Sequence, residues 1–332
     1  MKKTISILLA LCMLLALAGC GKKSTAETSG TEPTLTTTLP TETQPVAQES
    51  SITPIFYQVT DDSGNTIWLF GSIHVGRENF YPLPDYINDA FDQAEALAVE
   101  FDIRAYEKDT QAQVQSMQYL MYTDGTKIQD HIDPELYQEA AALMEDAPIP
   151  VMLLDMYKPV MWFSLLETMA SETEDTKTEW GIDMNMIDMA YERNMPVLSI
   201  ESAEFQYQML GNFSPELQEL LLKDTIEAVK SGELQRSVAF LLELWESGHE
   251  EAMSNYMALS MGTQGDQDPL HEEYYTAMGT DRNLTMADYA ENLLKEGKKT
   301  LICVGAAHVV GPGAMAELLR DRGYTVTKLS PN

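Results

Sequence analysis

The feature of this sequence that most constrains its fold is a short pattern that occurs twice. In each copy an apolar run is followed directly by Gly-x-x-His: residues 67–70 precede the copy that ends at His74, and residues 300–304 precede the copy that ends at His308. A short apolar run that ends at a glycine is typical of a buried β-strand. We therefore expect two buried strands, each of which delivers a histidine at its carboxyl end.

The two histidines are distant in the sequence but can meet in space. If both strands are neighbours in one sheet, His74 and His308 lie at the same rim, which is where α/β proteins bind ligands. Two imidazoles at one rim indicate a metal site or an acid–base site. Gly71 and Gly305 support this interpretation, because a glycine lets the backbone leave the strand sharply and lets a ligand approach closely.

The amino terminus has the pattern of a bacterial lipoprotein signal. Lysines follow Met1, an apolar stretch at 5–17 is too short to cross a bilayer, and the tetrapeptide LAGC at 17–20 resembles a lipobox. We expect residues 1–19 to be removed and Cys20 to be lipidated, which anchors the protein to the bacterial cell membrane on its extracytoplasmic side. The alternative is an ordinary signal peptide in which the cysteine is accidental.

Composition divides the rest of the chain into a tether and a domain. Residues 20–52 are rich in serine, threonine, proline and glutamate, so we expect a disordered tether there and a folded domain at 53–332. The formal net charge of −31 argues against nucleic-acid binding, because proteins grip nucleic acids through basic patches. Apart from Cys20, the cysteine that remains after signal removal is Cys303, which we expect to be a buried, inert thiol.

The order of strands and helices predicts an α/β domain. Strands are predicted at 56–60, 66–74, 96–99, 197–200, 300–304 and 324–329, and helices dominate from 103 to 194 and from 214 to 261. Because the strands cluster at both ends, we expect a mixed sheet built from N- and C-terminal strands with a large helical insertion. A helix predicted at 85–93 joins the strand before His74 to the strand before Glu100, so these two strands are expected to be parallel and close.

Glu100 is a third candidate at the same rim. It directly follows the apolar residues 96–99, and it is either a solvated strand end or a functional carboxylate. The apolar residues before it favour the functional interpretation, in which Glu100 is a third metal ligand or a general base. Two imidazoles and one carboxylate are a common catalytic ligand set that leaves a position for water.

These motifs resemble those of the TraB/GumN family, which includes the Tiki metalloproteases. The resemblance extends from about residue 55 to 330 and is carried by 71–74 (GSIH), 99–100 (VE), 181–183 (GID), Glu201, 282–283 (RN), 286–287 (MA) and 305–313 (GAAHVVGPG). It implies metal-dependent hydrolysis of peptide bonds, with manganese or cobalt favoured in the animal members. It also implies a fold akin to the erythromycin esterase and ChaN-like groups. One bacterial branch is associated with shutting down a peptide pheromone.

Several polar residues and glycines have roles that the residue types alone leave open. By composition Arg282 belongs to a surface ion pair, whereas the resemblance makes it a site residue that holds a substrate carboxylate or stabilises an oxyanion. Asp183 either caps a helix or orients a ligand histidine. Glu201 is a base, a ligand or a solvated strand end. Gly311 and Gly313 form a turn whose N–H groups are a candidate anion site.

These observations lead to hypotheses of different classes. The favoured one is a membrane-tethered, extracytoplasmic metallohydrolase acting on peptides or proteins, in which His74, His308 and Glu100 hold a divalent manganese, cobalt or zinc ion. Glu100 or Glu201, whichever is free of the metal, takes a proton from the bound water, and Arg282 stabilises developing charge. The competing hypothesis is a binding protein that captures a peptide, haem or a metal without turnover. A third is an esterase in which His74 acts as a base without metal.

Overall fold

The computed structural model describes residues 52–145, 147–260 and 268–331. The predicted signal peptide at 1–19, the lipidated Cys20 and almost all of the predicted tether lie outside these residues, and they stay predictions. Among the described residues, no helix is both long enough and apolar enough to cross a membrane.

A mixed β-sheet lies at the centre of the described residues. Its strands are β1 (Phe56–Thr60), β2 (Thr66–Ser72), β3 (Ala96–Val99), β4 (Val197–Ser199), β5 (Thr300–Gly305) and β6 (Thr325–Leu329). Their spatial order is β4-β3-β5-β2-β1-β6. Strands β4, β3, β5 and β2 pair in parallel, whereas β1 pairs antiparallel with both β2 and β6. The predicted α/β fold, with a mixed sheet built from both ends of the domain, is confirmed.

Helices surround the sheet and form most of the insertion. They are α1 (Asp85–Gln93), α2 (Ile103–Tyr106), α3 (Thr110–Met117), α4 (Pro134–Leu143), α5 (Val151–Leu154), α6 (Pro159–Ser171), α7 (Ile182–Glu192), α8 (Ala203–Gly211), α9 (Pro215–Ser231), α10 (Glu233–Ser247), α11 (Glu250–Ser260), α12 (Pro269–Tyr275), α13 (Asp281–Lys295), α14 (Ala306–Val309) and α15 (Met315–Asp321). A π-helical turn, Thr276–Thr280, joins α12 to α13. The run from α2 to α12, interrupted by β4, is the predicted helical insertion.

Local sequence signals explain how these helices begin and end. Helix α9 has Pro215 in its first turn, and the Ser214 hydroxyl accepts a hydrogen bond from the Leu217 backbone N–H at 3.3 Å. This side-chain cap satisfies one of the N–H groups that a helix start leaves without an internal partner. The helix ends at Ser231 and is followed by Gly232, whose φ of 67° lies in the left-handed region that favours glycine.

Two clusters of buried side chains stabilise the fold. One surrounds the sheet and includes Phe70 of β2 and Trp245 of α10, and the other lies within the insertion and includes Trp162. Burying a side chain as large as Phe contributes about 1.5–3 kcal/mol. Trp245 also donates from Nε1 to the Gly71 carbonyl at 2.7 Å, in a buried hydrogen bond. This bond joins the insertion to the end of β2, the strand that precedes His74.

One predicted feature of the sheet is wrong. The strands that precede His74 and Glu100 are parallel as expected, but they are not neighbours, because β5 pairs with both of them. All six residues of β5 are buried, which suits a central strand covered on both faces. The strand between β2 and β3 is therefore β5, which comes from the C-terminal part of the chain. One smaller boundary also differs, because β2 ends at Ser72, before His74.

Candidate functional site

The candidate site is built around the carboxyl end of the central strand β5. Ser72 at the end of β2 pairs with Gly305 at the end of β5, so the two Gly-x-x-His motifs lie side by side. A Cβ atom placed on Gly305 would lie 3.3 Å from Glu100 Oε1, 3.7 Å from His308 Cδ2 and 3.8 Å from His74 Nε2. The side chains that follow three adjacent strands therefore converge on one point, and a glycine leaves that point open.

His74 is positioned by helix α7. Its Nδ1 lies 3.0 Å from Oδ2 of Asp183, a residue of the first turn of α7. The backbone keeps this pair together, because Ile182 N–H donates to the Ile73 carbonyl at 2.9 Å. Gly181 is needed for this approach, since a Cβ there would come within 2.5 Å of the His74 carbonyl oxygen. The Asp183 contact at Nδ1 leaves Nε2 as the nitrogen that faces Gly305.

His308 is positioned by α13 and by the turn after α14. Its Nδ1 lies 2.7 Å from Asn283 Oδ1, and Asn283 Nδ2 donates to the Gly313 carbonyl at 3.0 Å. Because the amide nitrogen is used by Gly313, Asn283 Oδ1 is the acceptor and His308 Nδ1–H is the donor. Burial, and then the charge of Arg282, lowers the pKa of His308 to about 3. The ring is therefore neutral at pH 7, with an unprotonated Nε2 that lies 3.9 Å from Glu100 Oε1.

Both carboxylate oxygens of Glu100 are held by hydrogen bonds. Oε1 accepts from the Gly305 backbone N–H at 3.0 Å, and Oε2 accepts from Arg282 Nη2 at 2.6 Å and from Gln206 Nε2 at 2.9 Å. Burial alone would raise the pKa of Glu100, but the charge of Arg282, helped by the hydrogen bond from the Gly305 N–H, lowers it well below its usual range. Glu100 is consequently an ionised carboxylate, although it is buried.

Arg282 and Glu201 are bonded to each other. Arg282 Nε donates to Glu201 Oε1 at 2.9 Å and Arg282 Nη2 donates to Glu201 Oε2 at 2.8 Å, a two-pronged geometry typical of strong arginine–carboxylate pairs. Both side chains are buried, so Glu201 is not a solvated strand end. Through its additional bond to Glu100, Arg282 joins two carboxylates rather than pointing into an open space.

Gln206 is the member of this network that sequence reasoning missed. It lies on α8, is fully buried, and donates from Nε2 to Glu100 Oε2 at 2.9 Å and to Glu201 Oε2 at 2.7 Å. No motif marks it. The one available signal is an uncharged polar residue among the buried positions of a helix that begins directly after Glu201.

The predicted turn at Gly311 and Gly313 supports His308 through Asn283. Gly311 and Gly313 have φ values of 125° and 69°, which other residues rarely adopt. The Gly313 N–H donates to the Glu317 carboxylate, so this chain itself occupies that donor. The Gly313 carbonyl supports Asn283 and through it His308. Gly71 has a comparable packing role, since a Cβ there would lie 3.0 Å from Ala306 Cα.

A small cavity of about 30 Å³ borders this site and is lined by His74, Glu100, Asp183 and Cys303 among others, whereas Gly305 and His308 are not part of its lining. It has room for a water molecule or an ion. Cys303 is buried as expected, and burial raises the pKa of its thiol well above the usual value. The expectation that this thiol is inert stays a prediction.

The donor chemistry around the convergence point at Gly305 fits a divalent ion. Two ligand atoms bound at 2.0–2.2 Å to one ion are at most about 4.4 Å apart, so the 3.9 Å between His308 Nε2 and Glu100 Oε1 is compatible with a shared ion. In the ranges that the structure describes, however, no three His, Cys, Asp or Glu side chains are already grouped at metal-ligand spacing. The Nε2 atom of His74 lies 3.8 Å from the Cβ position built on Gly305.

Two bacterial proteins that are similar to this chain are both named as uncharacterized. The uncharacterized protein YbaP of Escherichia coli (strain K12) is 24% identical over 254 residues, which are 76% of this chain and 87% of that protein. An uncharacterized protein of Treponema pallidum (strain Nichols) is 23% identical over 281 residues, 81% of this chain and 80% of that protein. No solved structure matches significantly. The sequence profile of the TraB/PrgY/gumN family matches residues 55–328, almost the whole described domain, and this chain therefore belongs to the TraB/PrgY/gumN family.

Proposed function

We propose that this protein is a membrane-tethered, extracytoplasmic, metal-dependent hydrolase that cleaves peptide bonds. The observation that carries the proposal is the convergence of His74 Nε2, Glu100 Oε1 and the His308 ring on the open point at Gly305. Two imidazoles and one carboxylate are a ligand set of catalytic metal sites. The membrane tether and the location rest on the lipobox-like sequence that ends at Cys20.

His74, His308 and Glu100 would hold the ion, for which manganese, cobalt and zinc are the candidates. The bound ion would supply a Lewis acid and would lower the pKa of a water molecule. Asp183 and Asn283 fit the role of supports, because each contacts the Nδ1 atom of one histidine and leaves its Nε2 facing the site. Such outer contacts orient ligand histidines and fix their protonation.

Where it is free of the metal, Glu100 is the candidate proton acceptor of the site. It is ionised, its Oε1 faces the convergence point, and Asp183, the other carboxylate of the cavity lining, is engaged by His74. Arg282 and Gln206 hold Oε2 and thereby aim Oε1. Arg282 and Gln206 are therefore positioning residues, as is Glu201, which acts through Arg282.

A second candidate function is metal capture without turnover. The observation that favours it is that Arg282 and Glu201, which were expected to take part in chemistry, are bonded to each other and leave one acid at the convergence point. Haem is less suitable as the captured group, because the cavity at His74 and Glu100 measures about 30 Å³.

The test combines metal analysis with peptide cleavage. The purified full-length protein is incubated with a peptide library before chelation, after chelation, and after addition of manganese, cobalt or zinc. We expect cleavage that chelator abolishes, that one metal restores, and that His74→Ala removes. The matched control is His249→Ala, because His249 is an exposed histidine in the turn between α10 and α11. Bound metal without any cleavage would favour capture, and cleavage that survives exhaustive chelation would point to a metal-free hydrolase.

A further inference from the structure

A second, larger cavity lies next to the candidate site. It is a cleft of about 770 Å³, and its lining includes Arg77, Glu78, Ser171, Glu174, Asp175 and Trp180. The Tyr81 hydroxyl donates to the Trp180 carbonyl at 3.1 Å. Trp180 lines the cleft, and Asp183, three residues further on, contacts His74. A volume of this size is typical of clefts that bind small ligands or short peptide segments.

The rim of this cleft is acidic. Glu78, Glu174 and Asp175 are exposed, and within the described part of the chain none of them forms an ion pair. Arg77, a basic residue of the lining, is engaged by Glu246. The charges that remain unpaired at the rim are therefore negative, and a cleft lined by one sign of charge concentrates ligands of the opposite sign.

The wall of the cleft contains a buried polar group that lacks a partner. Ser171 of α6 is 1% exposed, and its Oγ has no hydrogen-bond partner among the described residues. Glu167 and Ser164 lie on the same face of α6 at helical spacing, and their side-chain oxygens are also buried without partners in that part of the chain. Of these three residues Ser171 lines the cleft. A buried acceptor that finds no donor within the protein is costly, and a ligand that carries donors would satisfy the Ser171 hydroxyl oxygen.

We infer that this cleft binds the positively charged part of a basic peptide, through a lysine or arginine side chain close to the bond to be cleaved. An ammonium or guanidinium group brings several donors and no acceptor. Those donors match the carboxylates at the rim and the unpartnered hydroxyl of Ser171. That the bound peptide is also cleaved rests on the proposed hydrolysis. The preference for cationic peptides rests on the cleft alone.

The test measures binding separately from cleavage. Two fluorescent peptides that differ in one residue, lysine or the uncharged norleucine, are titrated with the full-length protein in the presence of chelator. We expect the lysine peptide to bind about tenfold more tightly at low salt, a difference of about 1.4 kcal/mol, and we expect salt to reduce this difference. The rim variant Glu174→Gln/Asp175→Asn should lose most of the preference, and Ser171→Ala should weaken binding of the lysine peptide.

The matched control is Asp62→Asn/Glu95→Gln, which changes net charge by the same amount. Asp62 and Glu95 are exposed and precede β2 and β3, so they lie at the edge of the sheet opposite to His74. This control should keep the preference for lysine.

The possible results separate the two proposals. Equal binding of both peptides, or equal loss of the preference in the rim and control variants, would overturn the inference about the cleft whatever the cleavage assay shows. A preference for lysine that disappears in the rim variant supports the cleft, even if no peptide is cleaved and the hydrolase proposal fails.

Discussion

Arg282 Nη2 lies 2.6 Å from Glu100 Oε2, and both side chains are buried at the carboxyl end of β3. The same guanidinium also holds Glu201. Two carboxylates can therefore remain ionised in a place from which most water is excluded, because one arginine is shared between them. This contact fixes the orientation of the Glu100 side chain, so that Oε1 is the oxygen that faces the two histidines.

Replacement of Arg282, whose guanidinium is shared by Glu100 and Glu201, should destabilise the protein strongly. We expect Arg282→Met to lower the free energy of unfolding by about 3–5 kcal/mol, because two buried carboxylates lose their partner. The control is Lys230→Met, since Lys230 forms an exposed pair with Glu139, and its loss should cost less than about 1 kcal/mol. Urea denaturation measures both. Similar small losses in the two variants would contradict a structural role for the buried pair.

Replacement of Gln206 should affect activity more than folding. In Gln206→Met the buried amide is lost, Glu100 Oε2 keeps Arg282 as its donor, and we expect a decrease in kcat that corresponds to about 1–3 kcal/mol with KM little changed. Gln208→Met on the exposed side of the same helix is the control. Steady-state kinetics on a cleaved peptide provides the measurement. Wild-type kcat in a folded Gln206→Met protein would show that Gln206 does not position Glu100.

A methyl group on Gly305 should block the convergence point without unfolding the chain. The φ of Gly305 is −48°, which alanine adopts readily, so the cost of Gly305→Ala comes from crowding against Glu100, and the free energy of unfolding should fall by about 1–3 kcal/mol. The new Cβ would lie 3.3 Å from Glu100 Oε1 and 3.8 Å from His74 Nε2. We therefore expect a large loss of metal affinity, measured by titration calorimetry. Unchanged affinity would place the metal elsewhere.

The buried carboxyl of Glu167 should make stability depend on pH. Burial raises its pKa well above the usual value of 4.5, so it is protonated in the folded state over a range where it is ionised in the unfolded state. In that range the unfolded state binds fewer protons, and stability falls as pH rises from 4.5 to the raised pKa, by up to about 1.4 kcal/mol per pH unit.

The variant Glu167→Gln isolates this effect. It has no titratable group at the position, so its free energy of unfolding should decrease less than that of the parent as pH rises through this range. Glu174→Gln, at an exposed position on the loop after α6, should follow the parent. Denaturation curves collected across pH compare the three proteins. Parallel profiles for parent and Glu167→Gln would mean that the buried carboxyl is solvated or paired in solution.

The two Gly-x-x-His motifs show how far local signals reach. The apolar runs and the glycines predicted β2 and β5, and their pairing at Ser72 and Gly305 confirmed that the motifs are neighbours. The same reasoning placed the strand before Glu100 beside β2, which was wrong. Local patterns indicate which strands are buried and in which direction they run. Which strands pair with each other depends on which strand of the whole chain packs best at the centre of the sheet.

The sequence by itself determined the fold class, the two histidine motifs, the acid after β3 and the buried state of Cys303, because alternation, apolar runs and glycine positions act over a few residues. Only the tertiary structure decided that β5 separates β2 from β3, that Arg282 holds Glu100 and Glu201, and that Gln206 joins them. Arg282 and Glu100 are 182 residues apart in the chain. The partner of a buried charge is set by which distant side chain the packed core brings within hydrogen-bond distance, and no local pattern encodes that choice.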